Sequence, residues 1–352
     1  MTLRLLCLAG DGIGPEIMAA SLRVTEAACA RAGLEVAFAR MEIGFAALKA
    51  TGTTLPDAVV AAAEAADGVI LGPVSHNAYP PRAEGGLNPS GVLRSALGLF
   101  ANIRPARSHP AVPRPVVPEV DLVVVRENLE GFYADRNMHL GPGEFMPTPD
   151  IALSIRRITR DNSRAIAQAA FALATTRRGQ VAVIHKANVL RVSDGLFLDA
   201  VREVAAQHPA IVVEELLVDA AAALLVRDPA RFDVILATNM FGDILSDLAS
   251  ELAGGLGLAA SLNHGPRHAL AQAQHGSAPD LAGRDIANPA SLIGSVAMLL
   301  AHLGHGAPAG LITRALDAAL SARETRTADL GGALGTMAFA AHLCTLIERD
   351  ET

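Results

Sequence analysis

Short apolar runs alternate with helix-length patterns along most of the chain, and this alternation most restricts the fold that it can adopt. Leu3 to Ala9 and Gly68 to Leu71 have the length and composition of buried strands, whereas Pro15 to Ala32 has helical periodicity and a Pro near its first turn. The same reasoning predicts strands at Glu35 to Arg40, Val181 to His185, Ile211 to Val218 and Phe232 to Ala237, and helices at Asp161 to Thr176, Ser193 to Gln207, Gly242 to Ala253 and throughout Ser291 to Arg349. Such alternation predicts an α/β fold with much parallel sheet.

Two Pro-rich stretches interrupt this order. Pro105 to Pro118 is expected to be extended or turning, because Pro fixes its own φ and restricts the residue before it. Gly141 to Pro149 is predicted to be an exposed arm or loop. Ile151 to Thr159, which follows it, has the alternation of a strand.

Size and composition limit the possible functions. A single core is strained at 352 residues, so two lobes are expected. The net charge of −7 argues against nucleic acid or anionic membranes as partners, and no apolar run approaches the roughly 18 residues of a membrane span. The three cysteines lack a C-x-x-C, and the N-terminus leads into a strand without a basic leader. We therefore expect a cytoplasmic protein without a disulfide framework.

Two segments are candidates for binding a ligand through their backbone. Gly10 to Glu16 (GDGIGPE) follows the first strand but lacks the G-x-G-x-x-G spacing of a dinucleotide fingerprint, so a tight strand-to-helix turn explains it equally well. His275 to Asp280 (HGSAPD) has small residues that let a ligand approach closely. Asp280 could accept hydrogen bonds from both ribose hydroxyls. Taken alone, this segment is a polar loop.

Three arginines, one tyrosine and one lysine are candidates for substrate chemistry. Arg94 lies in a predicted helix and Arg126 ends a predicted strand, and with Arg104 they suit a di- or tricarboxylate. Scattered surface ion pairs are the simpler explanation for the arginines alone. Tyr133 is one of only two tyrosines, and Lys186 follows a predicted strand. A proton-transfer pair is one explanation, and a core Tyr with a solvated Lys is the ordinary one.

Three aspartates are candidates for holding a divalent metal ion. Asp243 and Asp247 are four residues apart at a predicted helix start, so they share one face of the helix, and Asp219 is predicted to end a strand. Hard oxygen donors of this kind suit Mg²⁺ or Mn²⁺. There is also a simpler explanation for Asp243: the helix dipole stabilises a carboxylate at a helix start. This explanation fits Asp247 less well, because Asp247 lies one turn further into the helix.

These segments occur together in a fixed order, and the chain resembles the β-decarboxylating dehydrogenases. That family contains isocitrate, 3-isopropylmalate, homoisocitrate, tartrate and D-malate dehydrogenases. The matching segments are Gly10 to Glu16, Leu99 to Pro105 (LFANIRP), Arg126 to Tyr133 (RENLEGFY), Val218 to Pro229, Asn239 to Asp247 (NMFGDILSD), His275 to Pro289 (HGSAPDLAGRDIANP) and Asp329 to Gly332. Several motifs in one order are far more specific than any one of them.

The resemblance implies the two-lobed isocitrate/isopropylmalate dehydrogenase fold, with a mixed parallel and antiparallel sheet, rather than a standard Rossmann fold. Residues 1–99 and 250–352 would form a discontinuous cofactor-binding lobe, and residues 100–249 the lobe for dimerisation, metal and substrate. The resemblance also implies a homodimer with shared active sites, in which Lys186 and Asp219 of each subunit serve the site of its partner. The arm at Gly141 to Pro149 falls in the region that the family uses for dimer contacts.

The resemblance further implies NAD-dependent oxidative decarboxylation of a hydroxy-dicarboxylate or tricarboxylate, assisted by Mg²⁺ or Mn²⁺. Asp243 would be catalytic as a metal ligand, Lys186 would be the base, and Tyr133 would protonate the enol carbon. The substrate would be bound by Asn88, Ser90, Arg94, Arg104 and Arg126, and the metal by Asp219, Asp243 and Asp247. The cofactor would be bound by Ile13, His275, Gly276, Ala278, Asp280 and Asn288. Asp280 stands where NADP-using relatives carry Lys, which favours NAD.

The sequence leaves the group at C3 of the substrate open. Asn88 and Ser90 form a polar lining that favours isocitrate or homoisocitrate over an isopropyl group, whereas the compact length favours a 3-isopropylmalate or tartrate enzyme. A tartrate or D-malate dehydrogenase and a non-catalytic regulatory subunit are the alternatives. Two departures from the family pattern stand out: Gly72 to Asn77 replaces a G-x-x-G-x-P turn, and Gln272 replaces a Glu of many relatives.

Overall fold

The computed structural model of the chain describes residues 2–113, 117 and 119–349. Its strands are β1 Leu3–Leu8, β2 Val36–Met41, β3 Gly68–Leu71, β4 Ala101–Arg107, β5 Asp121–Glu127, β6 Glu144–Thr148, β7 Ile151–Ser154, β8 Gln180–His185, β9 Val212–Leu217, β10 Val234–Ala237, β11 Leu262–His264 and β12 Ala269–Gln272. Its α-helices are α1 Gly14–Arg31, α2 Gly44–Thr51, α3 Asp57–Ala65, α4 Pro89–Ala96, α5 Ala134–Asn137, α6 Arg160–Thr175, α7 Ser193–Ala205, α8 Val218–Arg227, α9 Asn239–Ala253, α10 Ala290–His302, α11 Gly306–Ser321 and α12 Thr336–Arg349.

The predicted α/β class with a mixed sheet is confirmed. Most predicted elements lie within two residues of their expected bounds. Among the strands, β1, β3 and β10 have apolar runs that are buried almost throughout, as the interior of a parallel sheet requires. The Pro-rich stretch 105–118 is described only in part, since residues 114–116 and 118 lie outside the described residues. No helix among the described residues is both long and apolar enough to cross a bilayer.

One compact unit, which we call the terminal unit, combines Met1–Leu97, His109–Pro113 and Gly254–Thr352. Its strands lie in the order β2-β1-β3-β12-β11. The first three neighbouring pairs are parallel, and β11 and β12 are antiparallel. Helix α1 packs against α10, α11 and α12 and fully buries Ile17, while Phe339 of α12 is also fully buried.

The other compact unit, which we call the central unit, combines Gly98–Ser108 and Arg114–Ala253. Its strands lie in the order β4-β5-β10-β8-β9, in which β4 and β5 are antiparallel and the following pairs are parallel. Side chains of β5 alternate between two apolar clusters. Leu122 and Val124 pack in a cluster with residues of α8 and α9, and Val123 and Val125 pack in a cluster with residues of α6 and α7. Both faces of the sheet are therefore covered at β5, whereas the edge strand β9 is largely exposed.

Two expectations about the acidic residues are wrong in detail. Strand β9 ends at Leu217, so Asp219 lies in the first turn of α8 rather than at a strand end. Helix α9 begins at Asn239, three residues before the predicted start, so Asp243 lies beyond its first turn. The helix dipole acts mainly on the first turn, and therefore explains Asp243 less well than the sequence suggested.

The arm is also more regular than expected. Glu144–Thr148 within it forms β6, which pairs antiparallel with the short strand β7 as an isolated two-stranded sheet. Every residue of both strands is exposed, including Met146 and Ile151, so the arm is exposed as predicted. Beyond Ser154 the predicted strand does not continue as one.

Candidate active site

Arg126 and helix α9 meet because of the order of strands in the central unit. Ala237, the last residue of β10, lies beside Arg126 of β5, and α9 begins two residues later at Asn239. Gly242 permits the close approach, since a Cβ atom there would lie 2.7 Å from Cγ of Arg126. The first turns of α9 therefore rest directly on the arginine.

The guanidinium of Arg126 is held by two residues of α9. Its Nη1 atom contacts the Oδ1 atom of Asp243, and its Nε and Nη2 atoms donate to Oδ1 of Asn239 at 3.0 and 2.7 Å. Asn239 in turn donates from its amide to the backbone oxygen of Glu130 at 3.0 Å. Since Asn239 and Asp243 are four residues apart, one face of α9 presents both acceptors.

Arg104 of β4 binds the same face of α9. Its Nη1 atom donates to Oδ1 of Asp243 at 3.1 Å and to Oγ of Ser246 at 2.7 Å, and lies 3.5 Å from Oδ1 of Asp247. The arginine side chain is 6% exposed, whereas the two aspartates are 39% and 52% exposed. Both carboxylates can thus be reached by a ligand while the arginine beneath them is buried.

Burial shapes the ionisation of this cluster. It lowers the pKa of Arg104 to about 10, with the charge of Arg126 as the second cause. Burial also raises the pKa of Asp247, an effect that the charge of Arg104 opposes. Arg104 stays cationic near neutral pH in spite of the shift.

Tyr133 completes the cluster. Its hydroxyl accepts from Nη2 of Arg126 at 2.9 Å and donates to Oδ2 of Asp243 at 3.2 Å, and the guanidinium of Arg136 lies 5.0 Å from the ring centroid. Burial raises the pKa of the phenol, and the positive charge of Arg126 opposes this only in part. The phenol therefore stays protonated near neutral pH and can donate a proton.

Lys186 and Asp219 form a separate pair in the central unit. Nζ of Lys186 lies 2.5 Å from Oδ1 of Asp219, and this bond is the main reason that the pKa of the aspartate is lowered. The backbone N–H of Lys186 donates to the buried Asp194 at 2.6 Å, and Asp194 is paired with Arg156 at 2.5 Å. A buried ion pair thus positions the start of the loop that carries the lysine.

Asp219 is not gathered with Asp243 and Asp247 in a single chain. Within the described ranges, no group of three or more His, Cys, Asp or Glu side chains is placed to hold a metal ion. Asp219 binds Lys186, whereas the other two aspartates bind Arg104. One chain alone thus offers two of the three predicted ligands at one place.

In the terminal unit, helix α4 carries the other predicted substrate-binding residues. Ser90 and Arg94 both donate to Oε1 of Gln272, at 3.1 and 3.0 Å. Oδ1 of Asn88 accepts from the backbone N–H of Gly91 at 3.3 Å and so caps the start of α4. The amide oxygen of Asn88 therefore has a structural role, and a role in substrate binding stays a prediction.

A cavity of about 260 Å³ in the terminal unit collects most of the predicted cofactor-binding residues. Asp280 is exposed and is not part of its lining, so its role stays a prediction. Burial lowers the pKa of His275, whose Nδ1 atom lies 3.0 Å from the oxygen of Gly276, so the imidazole is neutral near pH 7. The cavity is lined by Ile13, Gly257, His275, Gly276, Ala278, Leu281, Ile286, Ala287, Asn288 and Asp329.

The turn after β1 packs directly against the loop that contains His275. Gly12 has φ +58°, and a Cβ there would lie 2.0 Å from the oxygen of Ser277, so only glycine fits. The N–H of Ile13 donates to that oxygen at 2.9 Å. Asp11 accepts from the N–H of Ser75 at 2.9 Å and from the hydroxyl of Tyr79. The Gly72 to Asn77 segment, which departs from the family pattern, is thereby tied to the same turn.

Comparison with known proteins places this geometry in a family. The family model for isocitrate/isopropylmalate dehydrogenase matches residues 4–343. The chain belongs to the isocitrate/isopropylmalate dehydrogenase family. A 3-isopropylmalate dehydrogenase of Methanothermobacter thermautotrophicus is 40% identical over 348 residues, which is 99% of each chain. An isocitrate/homoisocitrate dehydrogenase of Thermus thermophilus is 42% identical over 341 residues, 96% of this chain and 97% of that protein.

A solved structure agrees with this assignment. The isocitrate dehydrogenase of Methylococcus capsulatus superposes with a TM-score of 0.89 at 38% identity, and the match covers 99% of this chain and all of the other. The resemblance found in the sequence is thus confirmed. The protein is a dehydrogenase that acts on a CH–OH group, as this isocitrate/isopropylmalate dehydrogenase family does.

Sequence reasoning missed several residues of this dehydrogenase. The NMFGDILSD motif contained Asn239 and Ser246, but the prediction used only its two aspartates. Gln272 was noted only as a departure, because its partners lie about 180 residues away along the chain. The best available signal for Asn239 was its spacing four residues before Asp243. The other missed residues are Asp194 and Arg156 behind Lys186, and Gly257 in the cavity. Asp329, which also lines the cavity, was named only as the start of a matching segment and was given no role.

Proposed function

We propose that this dehydrogenase catalyses the NAD- and divalent-metal-dependent oxidative decarboxylation of a malate-type 2-hydroxy acid with a substituent at C3. The observation that carries the proposal is the cluster in which Arg126, Tyr133 and Asp243 contact one another. It combines a group that binds carboxylates, a protonated acid and a ligand for a hard cation.

The aspartates fit a divalent ion. Asp243 and Asp247 are half-exposed on one helix face, and Asp219 has a side chain that is 64% exposed. All three supply carboxylate oxygens, the donors that Mg²⁺ and Mn²⁺ prefer. When bound, the ion supplies Lewis-acid stabilisation of negative charge on the substrate oxygen. Arg94, Arg104 and Arg126 would bind substrate carboxylates.

Lys186 and Tyr133 carry the two proton transfers of the proposed reaction. Lys186, once its ammonium has lost a proton, would accept the proton of the substrate hydroxyl. NAD⁺, when bound, would supply the two-electron oxidation of C2 to a ketone. The bond between C3 and the carboxylate then breaks, CO₂ leaves, and the electron pair moves into the enolate. Tyr133 donates its proton to C3, because burial keeps its phenol protonated.

The cavity of the terminal unit is the proposed binding site for part of the NAD molecule. At about 260 Å³ it is smaller than a typical pocket for a whole ligand, and suits one base or one ribose. Small residues such as Gly276 and Ala278 let the cofactor approach the backbone. We place the ribose near Asp280, whose negative charge would repel the 2′-phosphate of NADP.

We further propose a homodimer in which Lys186 and Asp219 act in the active site of the partner subunit. The separation of Asp219 from Asp243 and Asp247 within one chain supports this arrangement. The exposed apolar side chains of the β6–β7 hairpin also support it, since exposed apolar patches commonly mark interfaces. These side chains are Phe145, Met146, Ile151 and Leu153.

A substrate panel tests the proposed function. NADH formation at 340 nm would be followed with isocitrate, homoisocitrate, 3-isopropylmalate, D-malate and tartrate, each with NAD⁺ or NADP⁺ and with Mn²⁺ or EDTA. We expect turnover with one of the 3-substituted malates, preference for NAD⁺ and loss of turnover in EDTA. Preference for D-malate or tartrate would select the alternative within the family. Absence of turnover with every hydroxy acid would contradict the proposal.

A further inference from the structure

The lining of the cavity in the terminal unit contains a strained backbone conformation. His275, Gly276 and Ala278 form one part of this lining, which we call the cavity wall. Ala278 has φ +37°, in the left-handed region where the Cβ atom of any residue other than glycine crowds the backbone. Such a conformation costs free energy and persists only where surrounding contacts hold it in place.

The contacts that hold the wall are made by Ser277, directly before Ala278. The backbone oxygen of Ser277 accepts from the N–H of Ile13 at 2.9 Å. Its hydroxyl lies 2.7 Å from the hydroxyl of Ser75, so the two share a hydrogen bond although they are 202 residues apart in the sequence. Ser277 itself is only 8% exposed. The conformation of the strained residue therefore depends on the turn after β1 and on Ser75.

Ser75 lies in the Gly72 to Asn77 segment, which departs from the family pattern, and a buried carboxylate fixes it there. Asp11 is 6% exposed and accepts from the N–H of Ser75 at 2.9 Å. The same carboxylate accepts from the N–H of Phe45 at 2.9 Å and from the hydroxyl of Tyr79. The rings of Phe45 and Tyr79 pack edge to face, with their centroids 5.0 Å apart. Burial raises the pKa of the Tyr79 phenol, so its hydroxyl stays a donor.

We propose that Ser75 and Tyr79 are positioning residues for the cofactor. Tyr79 fixes Asp11, and Asp11 in turn fixes Ser75. Through its bond to Ser277, Ser75 then keeps Ala278 in the conformation that binds NAD before NAD arrives. Affinity is higher when the wall is already in place, because binding then needs no rearrangement. The proposal rests on the proposed function, since it takes the cavity as the site for part of the NAD molecule.

Removing one hydroxyl tests the bond between Ser75 and Ser277. Ser75→Ala keeps the N–H that Asp11 binds and removes only the hydroxyl. Ser321→Ala is the matched control, because it removes an exposed hydroxyl that bonds within α11 and lies outside the cavity lining. Titration calorimetry would give the dissociation constant for NADH, and steady-state kinetics would give kcat and the KM values for NAD⁺ and the hydroxy acid.

We expect Ser75→Ala to raise the dissociation constant for NADH and the KM for NAD⁺ by about fivefold, the effect of losing one neutral hydrogen bond. Tyr79→Phe keeps the ring and should raise both constants by about two- to fivefold. In both variants kcat should not fall, nor the KM for the hydroxy acid rise, by more than about twofold, because general destabilisation would not act on the cofactor alone. Ser321→Ala should match the wild type. If Ser75→Ala or Tyr79→Phe binds NADH as the wild type does, the proposal is overturned.

A second comparison tests whether Ser75 acts through the strained residue. Glycine adopts φ +37° without strain, so the wall of Ala278→Gly should need the bond to Ser75 less. In the Ala278→Gly background, Ser75→Ala should therefore raise the dissociation constant for NADH by less than about twofold. An equal effect in both backgrounds would show that Ser75 does not act through Ala278, and would overturn the proposal.

The proposed function and this inference fail in different ways. If the protein is not an NAD-dependent dehydrogenase, the wild type binds no NADH and reduces no NAD⁺ with any hydroxy acid. If only the inference is wrong, the wild type binds NADH and the variants bind it equally well.

Discussion

Individual side chains in this dehydrogenase derive their chemistry from burial beside a charge. Arg104 and Arg126 lie under two half-exposed aspartates, so the cluster has its positive groups inside and its negative groups toward solvent. The hydroxyl of Tyr133 contacts both Arg126 and Asp243, and burial raises the pKa of this phenol. The ionisation that the proposed reaction needs is thus a property of the folded environment.

Replacing Tyr133 by Phe tests the proposed acid. The ring and its contact with Arg136 remain, whereas the hydroxyl bonds to Arg126 and Asp243 are lost. We expect kcat to fall by about 10² to 10⁴, the usual contribution of a general acid, with a smaller change in KM for the hydroxy acid. Steady-state kinetics with the preferred substrate of the panel would measure this. A kcat within about twofold of the wild type would exclude Tyr133 as the proton donor.

His264 predicts a pH-dependent stability. Burial, followed by the charge of the neighbouring His302, lowers the pKa of His264 to about 4 from its ordinary value of 6.5. Between these values the unfolded chain binds a proton that the folded chain does not, so stability decreases as the pH falls from 6.5 toward 4. The free energy of unfolding is therefore expected to be about 2 kcal/mol lower at pH 5 than at pH 7.

Urea unfolding at pH 7 and pH 5 would measure the effect. His264→Gln removes the titrating group, and we expect this variant to lose about 2 kcal/mol less than the wild type between the two pH values. Equal losses for both proteins would show that His264 does not cause the dependence.

Among the elements, the strands that the sequence predicted best are those with buried apolar runs, such as β1, β3 and β10. Strand β4 was not predicted, because its buried residues include Asn102 and Arg104. Helix α9 was predicted to begin three residues too late, since Gly242 resembles a helix boundary. The structure places this glycine inside the helix, where Arg126 leaves no room for a side chain. The β6 strand was predicted as an arm or loop because Pro147 lies within it, and its pairing with β7 shifts register between Phe145 and Thr148.

The candidate site was only partly predictable, because some of its contacts join residues that are far apart in the sequence. Motifs identified residues that are close in sequence, such as Asp243 and Asp247. The bonds of Gln272 to Ser90 and Arg94 join distant parts of the chain, and no local pattern marks them. Asp219 was expected at a strand end, because the last two residues of β9, Leu216 and Leu217, are followed by the apolar Val218, which is the first residue of α8.

Gly242→Ala tests the contact between α9 and β5. The added Cβ would lie 2.7 Å from Cγ and 2.8 Å from Cβ of Arg126, so one of the two elements must move. We expect kcat/KM to fall by about tenfold or more, although alanine itself favours the helix by about 1 kcal/mol. Gly306→Ala in α11, where a Cβ meets nothing within 4 Å, is the matched control and should keep wild-type kinetics. Unchanged kinetics for Gly242→Ala would contradict the proposed role of this contact.

The whole molecule carries the parts of the proposed active site at two separate places, so we infer that a complete site needs two chains. One chain holds Asp243 and Asp247 beside Arg104, and elsewhere holds Asp219 bound to Lys186. Oxidative decarboxylation needs a base and a metal site around one substrate. We therefore propose that two copies exchange these groups in a symmetric dimer.

Activity in mixed dimers would show whether Lys186 and Asp243 of different subunits act in one site. Lys186→Met and Asp243→Asn should each be inactive alone, and the two proteins would be mixed in equal amounts, dissociated and reassociated. If the groups act across subunits, each mixed dimer contains one intact site and one doubly mutated site. About half of the dimers are mixed, so about a quarter of all sites are intact and about a quarter of the wild-type activity should return. If every site is built from one chain, no site is repaired and the mixture stays inactive, which would contradict the account.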